Sequence, residues 1–296
     1  MLGKGTTRVR HFVVHIALTC VLVGLLPLGV ACKNQGKASE EKATEHVTTL
    51  AQLSDRDVGE IERGLPAGAT QLASLFANGA DPEKDLPAVR SGLKRIRAEI
   101  PDLTVAKSTF FALTDAHGVA IRNDLDVDVM AGLGVRSIFP ALAKALAGSF
   151  VTTTGRFPGP PPPSGPDRDW MAAAPIKDKA GQVVGLLLTG WTFRRFCIHL
   201  QESLRHDLQE QLFQAKDNGK LPILYVAIFD PTGIYTAPLT PSVNEKALVD
   251  LGLLGKTASG PIHGVLNITD RDFGYAALRV PKLGTDTGIA VLRSEI

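Results

Sequence analysis

Cysteine is nearly absent: the chain holds three in 296 residues, and two of them, Cys20 and Cys32, fall within the first 32. Cys197 is left alone in FRRFCIHL, so no disulfide framework can staple the fold and its elements must be held by their cores. Cys197 with His199 is too few ligands for a zinc site, and CIH lacks the second cysteine of a haem-attachment motif, which makes a buried core thiol the expected role. Aromatics are only 6% of the residues, and no basic stripe with interleaved aromatics occurs, so no nucleic-acid partner is expected. No G-x-S-x-G, H-E-x-x-H or phosphate-cradling glycine loop is present, and the seven histidines are scattered; neither catalysis nor a cofactor is expected. Asp124, Asp126 and Asp128 have the spacing of a calcium loop, but Val129 stands where its glycine belongs and Val135 where its glutamate belongs, so they read as a solvated edge.

One long apolar run does exist, at the start. Lys4, Arg8 and Arg10 precede Phe12 to Ala31, an almost continuous apolar stretch, which is the pattern of an export signal over residues 1–31. An uncleaved membrane anchor is the alternative for so long a stretch. The run ends in LPLGVAC, which resembles the lipobox of bacterial lipoproteins with Gly29 in place of the usual Leu; that resemblance implies acylation of Cys32, against ordinary cleavage at a small-residue boundary. The segment carries three basic residues and no acidic one, so the formal charge of +2 becomes −1 without it. Residues 32–45 are polar and charged and read as a flexible tether.

The remaining sequence says one thing twice. FALTDAHGVAIRN begins at Phe111 and VAIFDPTGIYTAP begins 115 residues later, each a strand, an Asp-x-x-Gly turn and a second strand. Asp115 and Asp230 accept hydrogen bonds from the backbone they bend, and Gly118 and Gly233 tolerate a positive φ. Downstream, DWMAAAPIKDKAGQVVGLLLTG answers to DFGYAALRVPKLGTDTGIAVL, with Trp170 to Gly185 and Phe273 to Gly288 the same fifteen positions apart. Such internal similarity points to duplicated architecture. Only the first copy holds FPGPPPPSGPDR, whose prolines allow neither a helix nor a central strand.

Helical spacing covers residues 46–103: Leu50, Leu53, Val58, Ile61 and Leu65 up to an interruption at Pro66, then Leu72, Leu75 and Phe76, then a second helix from Pro82 ended by Pro101. Strands follow at about 104–113 and 119–122, a short helix at 137–146, and strands at 170–175 and 183–191. The second half opens with a helix at 193–216 carrying Leu200, Leu204, Leu208 and Leu212 on one stripe, and strands are expected at 223–229, 234–236, 264–268, 272–280 and 287–293 around a helix at 244–251.

Helix, strand, D-x-x-G, strand, short helix, variable loop, then W-x-x-x-A-P-I and G-x-x-x-G resembles the Cache family of extracytoplasmic sensor domains, most clearly at TDAHGVAIRND and WMAAAPIKDKAGQVVGLLLTG. The resemblance implies an α+β chain with two tandem PAS-like domains, each a central antiparallel sheet with flanking helices, at 104–193 and 194–296 behind the helices of 46–103. It also implies a small-molecule pocket in the first domain. Of the amino-acid-binding pattern only Arg168 and Trp170 are present; Met171 replaces the Tyr and Ala173 the Asp, which disfavours an amino acid and leaves an anion or carboxylate held by Arg168, with Arg136 and Arg156 converging on it. The chain is expected to be a non-enzymatic sensor module on the periplasmic side of the bacterial envelope, lipid-anchored and, with no output domain of its own, dependent on a membrane signalling or envelope partner. An envelope scaffold without ligand is the alternative.

Overall fold

The computed structural model describes residues 28–159, 165–216 and 218–296; the export signal expected over residues 1–31 falls almost wholly outside the described residues. A single helix, α1 (Leu28–Leu72), leads the fold, followed by a 3-10 segment (Ala73–Gly79), α2 (Leu86–Glu99) and the short α3 (Pro101–Val105). The first sheet is built from β1 (Phe110–Thr114), β2 (Ala120–Asn123), β3 (Val151–Gly155), β4 (Asp169–Lys177) and β5 (Val183–Thr192), with short helices α4 (Val135–Ile138) and α5 (Leu142–Leu146) between β2 and β3. Helix α6 (Phe193–Gln214) leads into the second sheet: β6 (Ile223–Asp230), β7 (Gly233–Thr236), β8 (Ile262–Ile268), β9 (Arg271–Arg279) and β10 (Gly288–Ser294), with α7 (Ser242–Asp250) and α8 (Leu253–Lys256) between β7 and β8. Strand orders β2-β1-β5-β4-β3 and β7-β6-β10-β9-β8 are the same, and all pairings are antiparallel. The duplication expected from the two D-x-x-G turns and the α+β class implied by the family resemblance are therefore present.

Several boundaries differ from expectation, each for a physical reason. Residues 32–45, expected as a tether, belong to α1, and Gly36, Ser39 and Ala43 are buried. This buried stripe continues through Val47, Leu50, Ser54, Val58 and Ile61 at spacings of three and four, so it is one helical face whose first half is made of small residues. Pro66 lies inside α1 instead of interrupting it. A helix-interior proline costs about 3 kcal/mol, and full burial of Ile61, Leu65 and Leu72 around it, at about 1.5–3 kcal/mol each, outweighs that. Pro101 opens α3 where a strand was expected from residue 104, since proline suits a first helical position. The helix expected at 137–146 is split into α4 and α5 around Pro140, and β3 was not foreseen. On α6 Leu200 and Leu204 are buried, but Leu208 and Leu212 are only partly so, as the helix runs past the core.

The two sheets also align one residue away from the sequence match. If Asp115 matches Asp230, the pairing Leu113 with Leu187 corresponds to Ile228 with Ile289, and Trp170, opposite Trp191, then corresponds to Gly274, opposite Arg293. A slip of one residue exchanges faces. Trp170 accordingly joins the core beneath α1, as Gly274 does, while Phe273 packs on the opposite face with Leu248 and Leu253. At Gly274 a β-carbon would stand 2.1 Å from the backbone of Ser39 and Glu40, so α1 rests directly on the second sheet there. Farther along, α1 packs on the first sheet, where Gly68 approaches Leu187. One helix thus spans both domains.

Candidate functional site

Each Asp-x-x-Gly turn serves its backbone. Asp115 accepts from the amides of His117 and Val119 at 2.9 and 2.8 Å, and Gly118 has φ of +80°. Asp230 Oδ1 accepts from the amides of Thr232 and Gly233 at 2.8 and 3.1 Å, although Gly233 does not use a positive φ. Its second oxygen does something the first copy does not. Asp230 Oδ2 lies 2.5 Å from Arg168 Nε of the first domain, and the Asp230 side chain is 1% exposed. The N–H is not aligned for a hydrogen bond, so the contact is a close ion pair, while Arg168 Nη2 donates to Thr154 at 3.0 Å.

A second arginine reinforces this seam. Arg194, in the first turn of α6 and 6% exposed, donates from Nε to Pro166 O at 3.2 Å and from Nη1 to Thr236 O at 3.1 Å. Its two Nη atoms also reach Glu245 at 3.2 and 3.3 Å. Asp167 Oδ1 accepts from the amides of Arg168 and Arg194 at 2.8 and 3.1 Å. Burial pushes the Glu245 carboxyl up, but the Arg194 pairing and the Thr236 hydroxyl outweigh it and hold that carboxyl below its ordinary range. The end of the proline-rich loop is thus bolted to β6–β7 and α7 of the second domain. Sequence reasoning missed Arg194 and Glu245; Arg194 sits between Phe193 and Phe196, which gives it a buried setting, but its partner is 51 residues away.

The four residues expected to form a pocket do not converge on one. Trp170 is 1% exposed and stacks on Trp191 at 4.3 Å between centroids, on the face under α1. Arg168 is held by Asp230. Arg136 and Arg156 are exposed, Arg136 against the Gly118 turn and Arg156 near Asp169. The face of the first sheet turned away from α1 is filled by the chain's own side chains, among them Met171, Ala173, Leu188 and Phe139. Phe139 meets Phe157 edge-on at 5.0 Å, and the Phe157 amide donates to Asp169 at 2.9 Å. Burial pushes the Asp169 carboxyl up to about 6, against the opposing pull of that amide.

The calcium-like aspartates are all committed to protein partners. Asp124 accepts from the Phe111 amide and pairs with Arg97 at 2.8 Å, Asp126 pairs with Arg90, and Asp128 accepts from the Met130 amide. Among the described residues no group of three His, Cys, Asp or Glu could hold a metal ion, and no helix is long and apolar enough to cross a membrane. Cys197 is buried, its thiol donating to Tyr235 O at 3.1 Å and its pKa pushed up by burial.

No protein-family model matches the chain, and no curated protein matches it in sequence. Solved structures do match in fold. The extracellular domain of the putative histidine kinase vpHK1S-Z8 is similar with a TM-score of 0.56 at 8% identity, over 89% of this chain and 93% of that one. A domain of a putative sensory box/GGDEF family protein from Vibrio parahaemolyticus gives 0.52 at 8% identity, over 88% and 97%. The ligand-binding domain of the Campylobacter jejuni chemoreceptor Tlp3, in complex with L-norvaline, gives 0.51 at 14% identity, over 88% and 92%. This chain has the fold of these domains, the tandem Cache fold. At these identities the likeness is one of fold, and function has to be read from the chain's own residues. In this Cache fold the two sheets share α1 and are joined by two arginines, the buried Arg194 and the partly buried Arg168.

Proposed function

We propose that the chain is an extracytoplasmic small-molecule sensor module that reports its occupancy to a partner protein. The observation that carries the proposal is the continuity between domains: α1 packs on both sheets, the Arg168–Asp230 pair ties the first domain to the β6–β7 turn, and Arg194, paired with Glu245 of α7, holds Pro166 and Asp167 at the end of the first domain's loop. A shift in one domain then has a physical route to the other. Acylation at Cys32 would set its orientation, because α1 rests on the second sheet from Gly36 to Glu40, and Ser39, at the closest approach, is seven residues after Cys32. At 1.5 Å per helical residue that is about 10 Å, which would hold the second domain close to the membrane and the first away from it.

The test is a thermal-shift screen of small organic molecules on the full chain. A ligand at a hundredfold its dissociation constant adds about 2.7 kcal/mol, a rise of several degrees. A broad screen without any stabilising compound would favour the second reading, a ligand-free envelope scaffold. One observation supports that alternative: the outer face of the first sheet is filled by Met171, Leu188 and Phe139. For the anchor, Cys32→Ala is expected to release the protein from membranes and change its mature mass; unchanged fractionation and mass would remove acylation from the proposal.

A further inference from the structure

Helix α1 is tied to its neighbours through histidines. Of the five histidines among the described residues, three stand between α1 and another element: His263 of β8 meets Glu40, His46 meets Arg293 of β10, and Asp57 meets His199 of α6. The remaining two, His117 and His206, are exposed.

The middle tie requires a neutral imidazole. An arginine only donates, so Nε2 of His46, 2.5 Å from Arg293 Nη1, is an acceptor and carries no proton. Protonation there would set donor against donor and cation against cation. Both residues are buried, at 7% and 8% exposed, and Arg293 is also held by Glu295 at 2.8 Å, which leaves the pair little room to rearrange. Glu45 and Glu295 favour a charge on His46 and Lys42 opposes it, while on β9 the uncharged Gly274 stands opposite Arg293. Burial and Arg293 prevail and hold the imidazole down at about 4.

The two outer ties run the other way. His263 Nδ1 is 2.6 Å from Glu40 Oε1 and stands opposite the uncharged Ala276 of β9, and His199 Nε2 is 2.8 Å from Asp57 Oδ2. Each becomes an ion pair only when its imidazole is protonated. Asp57 is 1% exposed and its other oxygen has no hydrogen-bond partner, with Arg56 Nε 3.9 Å away; such a carboxylate gains from a charged partner. Glu60 adds negative charge beside Asp57. Arg97, Lys107 and Arg195 lie around His199 and oppose its charge, Arg97 being already paired with Asp124.

We propose that the chain senses protons through α1: acidification releases the helix from β10 at His46 while it tightens the hold on β8 at Glu40 and on α6 at Asp57. The inference goes beyond small-molecule sensing and does not rest on it. What responds is the helix that spans both domains, so proton uptake acts on the element that joins them. A released His46 titrates as an ordinary histidine, so the released population grows up to tenfold for each pH unit below 6.5 and levels off near 4.

Amide hydrogen exchange of the full chain at pH 7, 6 and 5, corrected for the intrinsic rate, reads this release residue by residue. Protection of residues 43–50 is expected to fall up to tenfold per pH unit below 6.5 and to stay below that of residues 226–228 in β6, while residues 54–60 hold theirs. His46→Gln, whose amide oxygen can accept from Arg293 without titrating, should remove the fall at residues 43–50. His199→Gln should instead make residues 54–60 lose protection in acid. Protection at residues 43–50 that is independent of pH in the parent, or that falls equally in His46→Gln, overturns the proposal. So does protection at residues 43–50 as high as at residues 226–228, which is the mark of global unfolding alone. None of these outcomes bears on the thermal-shift screen, so the small-molecule reading stands or falls separately.

Discussion

Arg168 of the first domain places its Nε 2.5 Å from Oδ2 of Asp230, the turn residue of the second. The repeated turn has therefore diverged in role: Asp115 bends its own strand, while Asp230 bends its strand and receives the other domain's arginine. A residue that sequence alone offers as a ligand contact is a structural tie.

Arg168→Ala is accordingly expected to destabilise. It strands a buried carboxylate that keeps only the Thr232 and Gly233 donors, at a cost of about 1–3 kcal/mol. Urea unfolding of Arg168→Ala, Asp230→Asn and the double variant measures the coupling. Additive effects would mean that the two side chains do not interact in solution.

The hairpins, the duplication and the α+β class were legible because turn chemistry and strand patterning are local: Asp115 and Asp230 announce themselves within four residues. The faces were not. Trp170 and Phe273 look equivalent by spacing, yet a one-residue offset puts Trp170 beneath α1 and Phe273 on the opposite side. The first turns of α1 were hidden for a different reason, since Gly36, Ser39 and Ala43 form a stripe by smallness, which hydrophobic periodicity does not detect. The seam was beyond sequence reasoning, because Arg194 and Glu245 meet only after the fold is complete.

Gly274→Ala tests the contact of α1 with the second sheet. A methyl group there would collide with the backbone of Ser39 and Glu40, which cannot rotate out of the way. Overpacking of this kind costs about 1–3 kcal/mol. Gly255→Ala, whose new methyl meets nothing within 4 Å, is the control and is expected to be neutral or slightly stabilising. Equal melting temperatures for the two variants would mean that α1 does not press on β9.

Helix α6 should show a gradient along its leucines. Leu204 is 3% exposed, and its truncation to Ala is expected to cost about 2–5 kcal/mol; Leu212, beyond the core, should cost far less. Thermal melts of Leu204→Ala and Leu212→Ala decide it. A large loss at Leu212 would indicate that the far half of α6 is covered by another copy of the chain.

Two buried groups should give the stability curve opposing slopes in acid. His46 is held at about 4, first by burial and then by the adjacent Arg293, whose Nη1 is 2.5 Å from His46 Nε2. The unfolded chain takes up this proton near the ordinary histidine value of 6.5 and the folded chain only near 4, so stability falls as pH drops through that window. Asp169 acts in reverse. Its folded value of about 6 exceeds the ordinary 3.8, so its contribution is full below 3.8 and is lost as pH rises through 6. Each shift corresponds to something on the order of 3 kcal/mol across its window. Asp169→Asn should therefore raise the melting temperature at pH 8 and do little at pH 3.5, because Asn can still accept from the Phe157 amide without a buried charge. His46→Gln removes the acid-side loss, so relative to the parent it should gain stability between pH 6.5 and 4. Melting curves of both variants from pH 3.5 to 8 check the signs. A pH-independent offset for Asp169→Asn would mean that its carboxyl titrates alike in the folded and unfolded chains.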